Sequence, residues 1–177
     1  MSFTPGRVGA AVLLSLLLAC SASNSAEGHA LDPDGAQSQG TVGYEHVKAG
    51  QIWWFALPVP HNVSGSPIKI TAVSLVEVPD GIKVLGYGAY SLEDTEGLPL
   101  LEVEGDKWIP HFSKLKNYAT GPVEVAAKTS SDIYFLAKMK IVTPPRKGTA
   151  HGCRFEYEQN GHSYVQTLDC EVELTAK

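Results

Sequence analysis

From Ile133 to Ile141 every second residue is apolar: Ile133, Phe135, Ala137, Met139 and Ile141 alternate against Lys138 and Lys140. Neighbouring side chains in a strand point to opposite faces, so a period of two marks a strand with one buried face. The same period dominates the chain after Gly40, and no segment carries a sustained helical stripe. This excludes a helix bundle and an alternating α/β fold, and it leaves sheets that bury one face.

The other strands follow from the same rule. In Gln51 to Val59, Trp53, Phe55, Leu57 and Val59 share one face, with Trp54, Ala56 and Pro58 on the other. From Pro67 to Val78, Ile68 and Ile70 begin a buried face that Val73 and Leu75 continue after a slip near Ala72, as a β-bulge would produce. Ile82 to Tyr90, Val123 to Ala127 and Thr41 to Val47 are further β-rich runs, and Phe112 to Tyr118 fits one helical turn. Pro144-Pro145 ends the Ile133 run, because proline lacks the ladder N–H. Seven to nine short strands with turn signals between them predict an all-β, antiparallel, immunoglobulin-like sandwich, with a small β-barrel as the alternative. The 17 glycines and 11 prolines suit so many turns.

The last 25 residues form a predicted hairpin. Cys153, Phe155 and Tyr157 face one way, Asn160-Gly161 supplies the positive φ angles of a tight turn, and Tyr164, Leu168, Cys170, Val172 and Leu174 return on the same face. A two-residue loop sets Cys153 opposite Leu168, which leaves Cys153 and Cys170 as diagonal neighbours. A longer loop or a bulge is then expected to bring them level for a disulfide.

The pairing itself is expected because the chain is addressed for export. Arg7 precedes an apolar run, Val8 to Leu18, that is too short to cross a bilayer but suits a signal peptide. Leu17-Leu18-Ala19-Cys20 resembles a lipobox, in which Cys20 receives a lipid and becomes the first residue of the mature chain. An ordinary signal cut after Ala19 or Ala22 is the alternative. Outside the cytoplasm an even cysteine pair reads as a bridge, and the odd third cysteine becomes the anchor. The expected organisation is a signal over residues 1–19, a flexible tether over 20–40 whose one sizeable apolar residue is Leu31, and a β-sandwich over 41–177.

The stretch from Asn62 to Val76 (Asn-Val-Ser-Gly-Ser-Pro-Ile-Lys-Ile-Thr-Ala-Val-Ser-Leu-Val) resembles the second-strand signature of exported bacterial immunoglobulin-like modules. With the lipobox and the cysteine hairpin, the chain is similar to small uncharacterised lipoproteins of actinobacteria with such a domain. That resemblance spans most of residues 50–174. It implies a fold and an envelope address, and brings no activity, cofactor or site residue.

Charge and motif content narrow the function. The net charge is −5, one unit more negative once Arg7 leaves with the signal, and charged residues are interspersed. A nucleic-acid partner, which needs a basic stripe, is excluded on that ground. Ser64-Gly65-Ser66-Pro67 is a loop and not a nucleophile elbow, and Gly86-Tyr87-Gly88 lacks the helix that a phosphate cradle requires. Glu93, Asp94, Glu96, Glu102, Glu104 and Asp106 read as a solvated face from which no catalytic pair stands out. The six histidines (His29, His46, His61, His111, His151, His162) make no tight ligand spacing and read as solvent-facing loop residues, although His151 and His162 could approach each other across the hairpin, and Met139 falls in the core phase. No metal or cofactor is therefore assigned.

Trp53-Trp54 is the most suggestive local feature. If Trp53 is core, Trp54 faces outward with Ala56 and Pro58, exposed unless a neighbouring strand or the Trp108 loop covers it. An exposed Trp54 beside Tyr87 or Tyr90 would anchor a partner or stack on a sugar. The expected protein is a non-enzymatic, membrane-anchored extracytoplasmic binding or scaffold module whose partner is an envelope protein or a glycan. A carbohydrate-binding or enzyme-accessory module and a copper- or zinc-handling lipoprotein are the alternatives.

Overall fold

A computed structural model describes residues 25–34, 40–107, 111–146 and 149–176. Cys20, the expected signal peptide over residues 1–19 and Trp108 lie outside the described residues. The architecture is an all-β sandwich of two separate sheets, so the barrel alternative falls away. The first sheet has six strands: β1 (Ala26–Glu27), β2 (Thr41–Tyr44), β5 (Ile68–Glu77), β8 (Val123–Val125), β11 (Thr149–Gln159) and β12 (His162–Leu174), in the order β1-β12-β11-β5-β8 with β2 also on β12. The second has the order β6-β10-β3-β7, formed by β3 (Ile52–Ala56), β6 (Ile82–Ser91), β7 (Leu101–Val103) and β10 (Ile133–Ile141). A two-stranded ribbon, β4 (His61–Asn62) with β9 (Thr129–Ser130), completes the set. The extra strands over the expected count, β1, β4, β7 and β9, have two or three residues, too few to display a period.

The core lies between the sheets. Trp53, Phe55, Ala137 and Met139 from one meet Ile70, Leu75, Phe155 and Leu168 from the other, all buried. Phe135 packs edge-on to Phe155 across the gap, with ring centres 6.1 Å apart. The predicted slip in β5 is real: Glu156 pairs with Ala72 but Tyr157 with Ile70, so Thr71 is the extra residue. Its hydroxyl donates to the Glu156 carbonyl.

The terminal hairpin keeps its tight turn. Gln159 pairs with His162, and Asn160 and Gly161 take φ of 51° and 78°. Cys153 does stand opposite Leu168, but Asp169 and Cys170 on β12 together oppose Gly152, where φ is 74°, and this bulge shifts the register so that His151 faces Glu171. The cysteine Cα atoms stand 5.8 Å apart beside it, and the disulfide is formed.

The tether expectation fails over residues 25–34. This segment is a strap along β12: Ala26 and Glu27 pair in parallel with Tyr164 and Val165. The amides of Gly28 and Ala30 donate to the Val165 carbonyl and the Tyr157 hydroxyl, and Leu31 is fully buried. The Gln166 side chain clamps Leu31 in both directions, accepting from its N–H at 2.9 Å and donating to its carbonyl at 2.6 Å. A Cβ at Gly28 would stand 2.1 Å from the Tyr157 oxygen, so glycine is required for the strap to lie this close. Composition predicts a stretch unable to offset its own ordering entropy; the buried Leu31 together with the hydrogen bonds of the Gly28, Ala30 and Leu31 backbone suffices once a sheet edge is available.

Candidate functional site

The outer face of the second sheet is built in rows. Trp54 on β3 pairs with Glu102 on β7 and Lys138 on β10, and Lys138 continues to Gly86 on β6. The next row runs from Ala56 through Leu136 to Gly88, and Tyr134 pairs with Tyr90 beyond it. The small residues Ala56, Gly86 and Gly88 give the large rings room. A Cβ at Gly88 would lie 2.6 Å from the Tyr90 ring, which folds back over the strand there. Gly86 has no neighbour within 4 Å of a Cβ and leaves a bare floor.

That floor is the base of a groove of about 130 Å³ lined by Trp54, Gly86, Tyr87, Tyr90, Asn117 and Lys138. Trp54, Tyr87 and Tyr90, the three residues named from the sequence, are thus brought to one place. Their roles differ from the expectation. Trp54 is 8% exposed and Tyr90 4%, so the exposed aromatic platform is overturned. The cover is Phe112, in a 3-10 turn (Phe112–Lys114), whose ring centre lies 4.8 Å from Trp54 and 5.0 Å from Tyr90. Leu92, Leu98 and Leu115 pack around it. A second 3-10 turn (Tyr118–Thr120) fastens this lid to β6, because Asn117 Oδ1 accepts from the amides of Ala89 and Ala119. Phe112 and Leu115 were the available signal, but with no period over 92–120 the sequence does not say which face they cover.

Polar groups frame the groove. Lys138 Nζ stands 4.7 Å from the Trp54 ring centre and 2.7 Å from Glu104 Oε1, so the ring's remaining face is closed by a cation held in an ion pair. Burial, and then the charge of Asp106, raises the Glu102 carboxyl above its usual range. Burial likewise raises the Tyr90 phenol. Tyr87 points the other way: its hydroxyl accepts from the Leu75 amide at 2.8 Å on the opposite sheet. Burial raises that phenol, and the Leu75 hydrogen bond offsets part of the rise. Tyr87 therefore ties the two sheets together, and only its strand borders the groove.

Larger depressions occur on the other sheet. One of about 760 Å³ is an open polar trough between the strap and β12, bordered by Glu27, His29, Arg154 and Thr167. The histidines do not gather. His162 sits beside Gln159 at the hairpin tip, whereas His151 faces Glu171 far along the strand and contacts Glu77 at 2.9 Å. Antiparallel pairing through a two-residue turn separates them, so the approach weighed as an alternative does not occur. Among the described residues no group of three His, Cys, Asp or Glu side chains is placed to hold a metal. No helix among them is long and apolar enough to cross a membrane.

No family model matches the chain, and no curated protein matches it. Among solved structures, the VesB protease of Vibrio cholerae aligns over 78% of this chain and 32% of its own, at 11% identity and a TM-score of 0.36. The chain thus spans about a third of that protease, and a likeness so distant carries no argument about function.

Proposed function

We propose that this chain is a lipid-anchored extracytoplasmic β-sandwich that serves the cell envelope as a binding or scaffold module, with no chemistry of its own. The observation that carries the reading is the Cys153–Cys170 bridge, buried in the inter-sheet core. Structural disulfides persist in oxidising compartments, which agrees with the apolar run and Leu17-Leu18-Ala19-Cys20 at the N-terminus. The groove over Gly86 is the binding surface best supported by geometry, since it joins an open backbone floor to a lysine, an asparagine side chain and the exposed Leu85. An envelope protein fits this mixture better than a glycan, because Trp54 and Tyr90 are covered and offer no stacking face.

Growth with labelled palmitate tests the address. Wild type is expected to incorporate label and fractionate with membranes, and Cys20→Ala to do neither. Alkylation of the exported, folded protein without reductant should find no free thiol at Cys153 or Cys170. Label in both forms, or two alkylatable thiols, overturns the reading.

A further inference from the structure

The docked strap fixes which end of the domain faces the anchoring membrane. Ala26 pairs with Tyr164, so Ser25 lies level with Ser163, just beyond the Asn160-Gly161 turn. Only five residue steps separate Ser25 from Cys20. Whatever their conformation, at ~3.3–3.6 Å per residue they span at most roughly 17 Å. The 13 residues of β12 run away from that turn, and at ~3.3 Å each they reach roughly 40 Å. A free tether over residues 20–40 would permit any orientation; the strap removes most of its length. The tether that remains is shorter than the domain, so the domain cannot invert.

We infer that the end carrying the Asn160-Gly161 turn is a membrane-apposed surface, seated on the phospholipid headgroups of the bilayer that holds Cys20. This rests on the lipid-anchor reading and deepens it. Gly65, Lys128, Thr129, Asn160, Gly161 and His162 are exposed there. Ser91 pairs with Ile133 at this same end, so the exposed Glu93, Asp94, Glu96 and Asp132 lie beside it and leave its charge negative. The short tether, and not charge attraction, holds this surface against the headgroups. Lys128 donates to the Val63 carbonyl and Asn160 Nδ2 lies near Ser66 Oγ, which ties the loops of this end into one unit. The far end, with the β5–β6 turn at Asp80 and the segment after Ile141, then projects outward toward partners.

The test uses the full, lipidated chain in phosphatidylethanolamine–phosphatidylglycerol vesicles whose headgroups carry an energy-transfer acceptor. A donor dye is attached through Asn160→Cys in one sample and Asp80→Cys in another; both positions are exposed. Transfer should be clearly stronger from position 160. A flexible spacer of about 20 residues inserted after Asn24 should lower transfer from position 160 and shrink the difference. Equal transfer from both positions, or stronger transfer from position 80, overturns the assignment while leaving the anchor intact. Failure of palmitate labelling at Cys20 removes the anchor itself and is read separately.

Discussion

Trp53 and Trp54 are neighbours on one strand, yet they are buried by different means. Trp53 faces the second sheet and joins a core contributed by both sheets and sealed by the disulfide. It also meets Tyr44, with ring centres 5.0 Å apart. Trp54 faces the outside of the same sheet and is covered by Leu92, Leu98, Phe112 and Leu115, from a part of the chain whose described regular structure amounts to β7 and two 3-10 turns. The inner cluster is therefore closed by paired strands, and the outer one by a lid fastened through Asn117. A sheet face that reads as solvent-facing can be closed by an irregular segment, and such a closure opens more easily than a second sheet does.

The sharpest way to break this comparison is to empty each tryptophan site. Trp53→Ala should cost about 3–5 kcal/mol in denaturant unfolding, the usual penalty for a large core ring. Trp54→Ala should cost less, about 2–3 kcal/mol, because the lid can settle into the space. Equal losses would show that the lid is as rigid as the sheet. Phe112→Ala probes the lid directly and should act locally. Hydrogen exchange at the Ala89 amide, which is held by Asn117, should accelerate, while amides of β11 beside Phe155 keep their protection. Uniform acceleration in both sheets would mean that the outer cluster unfolds only with the whole domain.

The smallest expected effect concerns Tyr134, fully buried in the outer cluster. Its hydroxyl makes no hydrogen bond of good geometry, and the Thr95 hydroxyl beside it already lies 2.8 and 2.7 Å from the Ser91 and Gly97 carbonyls. Burial pushes its pKa from 10.0 up to about 12. The folded state thus holds this proton more tightly than the unfolded chain does. The associated stability is complete below pH 10 and is lost as pH rises toward 12. Tyr134→Phe should change stability by less than about 1 kcal/mol at neutral pH, since an unpaired buried hydroxyl contributes little. The same variant should flatten the alkaline decline without abolishing it, because the Tyr87, Tyr90 and Tyr157 phenols are raised as well. Thermal melts of both proteins between pH 8 and 12 check this, and identical slopes would remove Tyr134 from the account.

Much of the fold was legible because strand parity is local. The run from Ile133 to Ile141 is β10 in full, the slip in β5 is a bulge at Thr71, and Asn160-Gly161 makes the turn its residue types demand. The cysteines fall on the buried face that their parity assigns, and the β12 bulge opposite Gly152 accompanies their approach to 5.8 Å between Cα atoms. The candidate site was half legible: Trp54, Tyr87 and Tyr90 do border one groove, but none offers the exposed ring that parity implied.

The sequence by itself determined which residues form strands, which face of each strand is apolar and where the hairpin turns, because each depends on neighbours a few positions away. Tertiary structure alone decided what covers the second face of β3 and where residues 25–34 go. Phe112 reaches Trp54 across 58 positions and Leu31 meets Gln166 across 135. Burial at such separations depends on which edge or face is vacant once the sheets have formed, and no local pattern carries that information.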